Sequence, residues 1–600
     1  MCGVAGIFVY GNNGLKVQEA ELLKMREAML LRGPDGAGLW INDQRTVGLA
    51  HRRLSIIDLT ETGAQPMTNA EGDHHIIFNG EIYNYLKLRA DLEKRGHRFR
   101  SNSDTEVLLH LYREKGERMV DDLRGMYAFA IWDEKRRRLL IARDPFGIKP
   151  LYYSDDGNTF RFASQVKALL KSEHVDKTFE PAGHVGFFIF GYVPEPYTLF
   201  KQVRALPAGT TLWIDENGRN SIQKFFDFRQ ELVNAQEQSK INLLDMEDRF
   251  HAALRETVQF HLVADVEVGV FLSAGLDSSC LLGLSSESHS QSIHSFTLGF
   301  KEYINTANNE VPFAESVAKH YGARHSTAWV SQDDFLSDVD NLLSAMDQPS
   351  RDGVNTYFVS KMAARCGMKV AISGLGGDEF LGGYSTFSQL PRMIRQWHMA
   401  ANFPWFGRWC CRLLAPFARR FTASRHAGLP EHGWNYPGAY FLAKGVFMPW
   451  DLHMVMDRDM AKKGLDELQF LARLEDTIRG LKSEHCIISA LETVWYMQNQ
   501  LLRDSDWASM AHSVEVRVPF VDVELFRAIA PFLVAANPPT KQHMARSLSH
   551  ELPPELLDRP KTGFTVPIHS WLMAGDSSKR AGERGARAWM KKVYAHAIQN

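Results

Sequence analysis

Cysteine is scarce in this chain: six residues in 600, at positions 2, 280, 366, 410, 411 and 486. So few, scattered over such a length, do not make a disulfide framework. No CxxC pair occurs, so a cysteine zinc site has no support. Net charge is nearly absent too, with 69 Lys+Arg against 71 Asp+Glu. A dedicated nucleic-acid binder would usually be basic overall, so that class is set aside. Long apolar runs are missing: none reaches the roughly 18 residues that a membrane span needs. The nearest, around Val185 to Val193, is short and holds two glycines. The start of the chain has no charged segment before an apolar core, so no secretory signal is expected. A reducing, cytoplasmic compartment follows as the expectation. What is present is ordinary globular composition, 44% hydrophobic and 23% charged. At about 150 residues per domain the length suggests about four domains and allows at least two cores.

The first chemistry stands at the N-terminus, Met1-Cys2-Gly3-Val4-Ala5-Gly6-Ile7-Phe8. Loss of Met1 would leave Cys2 with a free α-amine of pKa roughly 8, partly neutral at pH 7. Such an amine can act as general base for the adjacent thiol. Taken alone, Cys2 reads equally as a buried residue opening a strand. Downstream, Gly33-Pro34-Asp35-Gly36 reads as a turn. In His51-Arg52-Arg53-Leu54, strand alternation puts the two arginines on opposite faces. Asn79-Gly80 ends an apolar strand, either as a hairpin turn or as an amide and N–H pair able to form an oxyanion hole. Ser103-Asp104-Thr105-Glu106 reads as a capped helix start.

These segments, in this order, resemble class II glutamine amidotransferases, specifically the glutaminase domain of the glutamine-hydrolysing asparagine synthetase family. The resemblance implies a four-layer αββα N-terminal-nucleophile domain over 2–215. It makes Cys2 the nucleophile, Asn79 and Gly80 the oxyanion donors, Arg53 the grip on the glutamine carboxylate, and Glu81 and Asp104 the holders of its ammonium. The segment Ala142 to Tyr153 also matches. Its Asp-Pro and Phe-Gly pairs read as a turn between strands, and it receives no catalytic role.

Residues 216–245 are polar and Gln/Asn-rich and read as a linker. From Met246 to Leu262 the spacing Phe250, Leu254, Val258, Leu262 predicts a helix. Val266 to Leu272 reads as a buried strand running into Ser273-Ala274-Gly275-Leu276-Asp277-Ser278-Ser279 and a further helix. A strand, a small-residue loop and a helix form an anion cradle. It is not the GxxxxGK[ST] loop, lacking that spacing and its lysine. It resembles the pyrophosphate loop of ATP pyrophosphatases, whose members often carry Gly where Ala274 stands; a methyl is harmless there if φ is negative. Ser295 to Phe300 reads as a second strand, and from Val370 a short buried strand runs into the glycine-packed loop Ser373-Gly374-Leu375-Gly376-Gly377-Asp378-Glu379. Strands alternating with helices predict a doubly wound parallel α/β domain with additional helices, 246–575. The segments Leu502 to Phe520 and Arg559 to Pro567 match the same family.

The resemblance implies an acyl-adenylate mechanism: ATP activates a carboxylate, ammonia from glutamine displaces AMP, and an amide, glutamate, AMP and PPi result. Leu272, Ser273, Gly275, Asp277, Ser278, Ser279, Ser373 and Gly374 would bind ATP, Asp277 and Asp378 would bind Mg²⁺, and Lys561 would sit near the reacting carbonyl. Aspartate is the expected acceptor. Leu375 stands where many relatives carry Glu or Asp, and leucine neither takes a proton nor binds an ammonium. Trp507 is a second departure. Another carboxylate, such as a sugar uronic acid or a natural-product intermediate, is the alternative acceptor. Expected partners are thus small molecules, with no nucleic acid and no transmembrane segment; a homodimer is allowed. From Phe380 to Pro430 there is no Asp or Glu, but there are seven Arg interleaved with Trp and Phe. That segment reads as a basic outer face or as a surface for an anionic partner. The tail 576–600 is basic and reads as ending in a short peripheral helix, Ala586 to Ile598.

Overall fold

The computed structural model describes residues 2–11, 14–237, 245–288, 291–402, 424–557, 566–573 and 585–599. Lys561 lies outside these residues, as do 403–423 of the acid-free segment; within that segment Arg392 and Arg395 are exposed on the helix Thr386–Trp397. Among the described residues no helix is long and apolar enough to cross a membrane.

Two six-stranded antiparallel sheets form the N-terminal part. In the first, Gly3–Val9 lies between Val47–Arg53 and Thr159–Ala163. In the second, Gly125–Asp133 lies between His74–Ile82 and Arg138–Arg143. Alternation sends Val4, Phe8 and Leu49 of one sheet against Ile77, Ala130, Trp132 and Ile141 of the other, which makes the layer between them. On the outer face of the first sheet Ala5, Ile7 and Val9 meet Leu22 and Met25 of the helix Glu19–Glu27. The helix Asp104–Lys115 covers the second. The four-layer expectation is therefore met.

The C-terminal part is built on a five-stranded parallel sheet in the order Arg324–Val330, His294–Phe300, Val268–Phe271, Val370–Ile372, Glu515–Arg517. Chain order runs outward in one direction from Val268–Phe271 and then reverses, which defines a doubly wound sheet. Ligands of such sheets sit beyond the carboxyl ends of the strands where the order switches. Here the switch falls between Val268–Phe271 and Val370–Ile372, the two strands that feed the serine- and glycine-rich loops.

Three readings need correction. The segment 216–245 is not a linker throughout. Asn220–Lys224 is the edge strand beside Thr210–Asp215, and Phe228–Glu237 is a helix that buries Phe228 and Leu232. The strand was hidden because it lies at a sheet edge with mainly polar residues facing solvent. The C-terminal helix, Ala586–Gln599, is not peripheral: it buries Trp589, Met590 and Val593, with Trp589 against Phe335. Finally, Ala274 has φ 54°, in the left-handed region, so its methyl is held against a preference worth roughly 1–2 kcal/mol.

Candidate active sites

Cys2 is buried immediately before the first strand. Its backbone N–H donates to Asn79 Oδ1 at 2.8 Å, and its Sγ lies 3.9 Å from the Leu54 carbonyl. Burial is the largest influence on the thiol and pushes it up, so the resting group is protonated and needs a base before it can attack. Met1, which precedes it, lies outside the described residues.

Asn79 and Gly80 lie inside the strand His74–Ile82 rather than in a hairpin turn. Asn79 is fully buried, and its Nδ2 has no hydrogen-bond partner among the described residues. A buried amide donor left unsatisfied is costly unless a ligand meets it. Gly80 is required on two counts: φ is 153°, and a Cβ would come 2.0 Å from the Met126 carbonyl oxygen.

The two adjacent arginines separate as alternation predicts. Arg52 pairs with Glu27. Arg53 turns the other way and donates from Nη1 to the Thr60 carbonyl at 2.8 Å and from Nη2 to the Asp58 carbonyl. Asp104 accepts from the Ile82 N–H at 3.0 Å, and burial pushes its carboxyl up to about 6. Glu81 is held well above the usual carboxylate range by burial first and by Glu515 second, while Arg517, 3.4 Å away, opposes the shift. Burial of both carboxyls favours an incoming ammonium, although at Glu81 the Arg517 guanidinium already supplies positive charge. The structure thus gathers Cys2, Asn79, Gly80 and Glu81 around one strand end, with Arg53 and Asp104 on the flanking elements.

At the switch point, Ser273 N–H donates to Ser278 Oγ at 3.1 Å, and Ser278 Oγ donates to the Gly275 carbonyl at 3.2 Å. This closes the loop ahead of the helix Leu276–Ser288. The second loop packs directly on the first. A Cβ on Gly374 would lie 2.9 Å from Asp277 Cβ, and one on Gly377 would lie 2.5 Å from Asp277 Oδ1. The same glycines leave both loop backbones open to a phosphate. Asp277 and Asp378 are brought together by Lys541, whose Nζ is 2.5 Å from Asp277 Oδ2 and also bonds Asp378. Burial lowers the Lys541 ammonium, but the two carboxylates outweigh it and the net shift is upward. Two hard oxygen donors held around one cation fit Mg²⁺, which keeps waters and phosphate oxygens as its other ligands.

Lys541 was missed by sequence reasoning: a lone lysine after Pro538-Pro539-Thr540 looks like a surface residue. Its only signal is Thr540, which caps the helix that Lys541 begins.

A cavity of about 290 Å³ opens beside the two loops, reaching Leu375, Asp352, Glu379 and Asp504. Asp504 accepts from Ser350 Oγ at 2.7 Å and from Trp507 Nε1 at 2.8 Å. Trp507 therefore has a definite task, orienting an acid of the cavity wall. Burial and then Asp352 push Asp504 up to about 7. Burial and then Asp378 push Glu379 up to about 8.

Arg517 connects the two sites. Arg517 meets Glu81 through its guanidinium, while its own carbonyl accepts the N–H of Ser373, at 2.8 Å, from the glycine-rich loop.

Comparison with known proteins gives two family matches along the chain. A glutamine amidotransferase domain matches residues 1–226, and asparagine synthase matches residues 249–595. Glutamine-hydrolyzing asparagine synthetase 1 of Bacillus subtilis is 31% identical over 588 residues, covering 95% of this chain and 88% of that protein. A putative glutamine-hydrolyzing asparagine synthetase of Mycobacterium tuberculosis is 31% identical over 612 residues, covering 96% and 89%. Glutamine-hydrolyzing asparagine synthetase B of Escherichia coli is 32% identical over 412 residues, covering 65% and 66%.

Proposed function

The chain belongs to the glutamine-hydrolysing asparagine synthetase family, and from that premise we propose that it amidates a carboxylate in two coupled half-reactions. The family's members are ATP-using ligases with glutamine as nitrogen donor. In the first half, the Cys2 thiol gives its proton to the α-amine exposed by loss of Met1 and attacks the glutamine side-chain carbonyl. Arg53 holds the glutamine carboxylate, and Glu81 and Asp104 hold its ammonium. Asn79 Nδ2 and the Gly80 N–H meet the oxyanion, the step that such donors favour most. The α-ammonium returns that proton to the departing nitrogen, ammonia leaves, and water then releases glutamate from the thioester.

In the second half, a carboxylate oxygen of the acceptor attacks the α-phosphorus of ATP and pyrophosphate leaves. The loop Leu272 to Ser279 and the Ser373-Gly374 backbone cradle the phosphates. Asp277 and Asp378 would hold Mg²⁺, which would supply positive charge for the pyrophosphate. Lys541 and Lys561 add positive charge at the departing phosphate and the reacting carbonyl. Ammonia then attacks the acyl-adenylate carbonyl and AMP leaves with the electron pair of the broken C–O bond.

The observation that carries this reading is the pairing, in one chain, of an orphaned Asn79 amide beside Cys2 with an Asp277–Asp378 pair at the switch point. For the acceptor, the names of the relatives support aspartate. Leu375, lining the cavity where an acid was expected, supports a different carboxylate.

The test is AMP release by the purified chain with Mg-ATP, glutamine and aspartate, with the amide identified. Cys2→Ala should abolish use of glutamine and leave ammonia-dependent synthesis intact. Asp277→Ala should stop AMP formation while glutamine hydrolysis survives. AMP formation unchanged in Asp277→Ala would remove the nucleotide assignment.

A further inference from the structure

A cavity of about 780 Å³ lies where three distant stretches of the chain meet, and it shares no lining residue with either candidate site. Residues 167–179 and 199–200 of the N-terminal part form one side. Leu343 to Pro349 form a second, and the end of the helix Ala586–Gln599 forms the third. The sides are tied to one another. The N–H groups of Val166 and Lys167 donate to Asp347 at 2.9 and 3.0 Å, Lys167 Nζ donates to the Ser344 carbonyl, and Ser344 Oγ lies 3.2 Å from His596 Nε2. A cleft of this volume is in the range of small-molecule sites.

Part of the wall is basic. Lys167, Lys171, Lys177 and His596 line it, against one acid among the described residues, Asp347. That acid already accepts two backbone N–H groups. Burial lowers the Lys167 ammonium, Asp347 opposes, and Lys171 lowers it further. At His596 burial and then Lys167 act downward, while Asp340 opposes them and Lys592 adds to them. The bases thus disfavour one another's charge, and an anion set among them would relieve this.

The rest of the wall is apolar. Leu199, Met346 and Val593 are buried around the cavity, and Phe200 is half-buried. Phe179 and Ile598, from two different sides, remain 45% and 42% exposed. Apolar surface left in water within one concave site is surface that a bound apolar body would cover. An inorganic anion would leave this surface wet, and a neutral hydrocarbon would leave the lysines unmet.

We infer that this cavity binds an organic anion with one acidic head and an apolar body, a medium-chain carboxylate being the simplest, with the head among Lys167, Lys171 and His596 and the body between Phe179 and Ile598. The site is separate from both half-reactions and does not depend on which carboxylate is amidated.

The experiment is equilibrium binding of anilinonaphthalene sulfonate to the full chain, read by fluorescence, with Mg-ATP present to occupy the nucleotide loops. The probe is then displaced by hexanoate, octanoate and decanoate, each below its micellar concentration. One probe should bind saturably per chain. Each added methylene should tighten displacement by about two- to fourfold, as its burial would. Acetate and decyltrimethylammonium should not displace the probe at the same concentrations. Lys171→Glu and Ile598→Asp, both at exposed positions, should each weaken probe and decanoate binding by about tenfold or more, whereas Lys171→Arg should retain it. Both weakened variants should unfold at the parent's denaturant concentration, which separates a lost ligand contact from a lost fold.

Binding unchanged in both variants overturns the inference, as does displacement that ignores chain length or head charge. Absence of saturable binding overturns it too; the lysines would then have their counter-charge already, Asn600, outside the described residues, being the nearest source in sequence to His596. Sedimentation of the chain with phosphatidylglycerol vesicles, without displacement of the probe by decanoate, would make the basic wall a membrane contact and overturn the inference as well.

Discussion

Arg32 and Asp506, 474 positions apart, form a buried bidentate pair across the junction of the two parts of the chain. Nη1 is 2.6 Å from Oδ2 and Nη2 is 2.9 Å from Oδ1, and the same guanidinium donates from Nε to the carbonyl of Cys2 at 3.0 Å. One arginine thus fixes the candidate nucleophile's backbone to the helix Leu502–Met510, which also carries Asp504 and Trp507. Removing one partner leaves the other charge buried alone. Asp506→Asn should therefore cost about 3–5 kcal/mol in denaturant unfolding and slow glutamine hydrolysis. Arg32→Met/Asp506→Leu should be less destabilised than either single change, because it buries no lone charge. A double variant that loses the sum of the two single effects would count against the pair as described.

The pH behaviour of glutamine binding follows from Asp104. Burial lifts its carboxyl to about 6, so it is ionised above that pH and neutral below. An ammonium needs the ionised form. The KM for glutamine should rise as pH falls through about 6, approaching about tenfold per unit below it, since one unit is about 1.4 kcal/mol. Asp104→Asn should raise KM and flatten this limb. For stability the sign is opposite in sense. The folded state binds this proton more tightly than the unfolded chain, so the contribution is full below about pH 4 and is lost as pH rises through about 6.

Both candidate sites were legible where chemistry is written in contiguous residues. Cys2 and the two loops stand at strand ends and Asn79-Gly80 within an apolar strand, and short buried strands announce themselves by apolar runs and bordering glycines. What was not legible depends on contacts between distant segments. Lys541 reaches Asp277 from 264 positions away, and nothing in its neighbours marks it. The burial of Trp589 and Val593 depends on a helix laid down more than two hundred residues earlier, so the tail's polar composition misled. The edge strand Asn220–Lys224 has no buried face to generate alternation. The departure at Trp507 was visible in sequence, but its purpose emerged only with the Asp504 contact.

Ala274 offers a test of backbone strain in the phosphate loop. At φ 54° it sits where glycine is at ease and a β-carbon is not. Ala274→Gly should relieve the steric cost and add some unfolding entropy, for a net gain of up to about 1 kcal/mol. Ala274→Val should destabilise, because a branched side chain tolerates the left-handed region least. AMP formation should survive the glycine change, since the loop's N–H groups keep their positions. Denaturant unfolding with an AMP assay measures both. A glycine variant less stable by more than about 1 kcal/mol would mean that the loop does not hold this conformation.

Lys541 tests the second site most directly. Its ammonium separates two carboxylates that otherwise face one another across the loop, and a Cβ on Gly383 would strike both Asp378 and the Lys541 side chain. Lys541→Met removes the bridging charge and keeps the side chain's apolar length. In the absence of nucleotide, Asp277 and Asp378 would then repel, and the variant should unfold at lower denaturant than the parent. Added Mg²⁺ should restore more stability to the variant than to the parent, because binding to the folded form alone raises stability with metal concentration. Catalytically, AMP formation should fall about 100-fold, in the range seen when one donor to a developing charge is removed. Glutamine hydrolysis should continue, since Cys2 has its own set of partners. Lys541→Arg should recover part of the lost rate, a point charge being replaced by a wider one. Unchanged AMP formation in Lys541→Met would leave the lysine as a structural tie between two loops and nothing more.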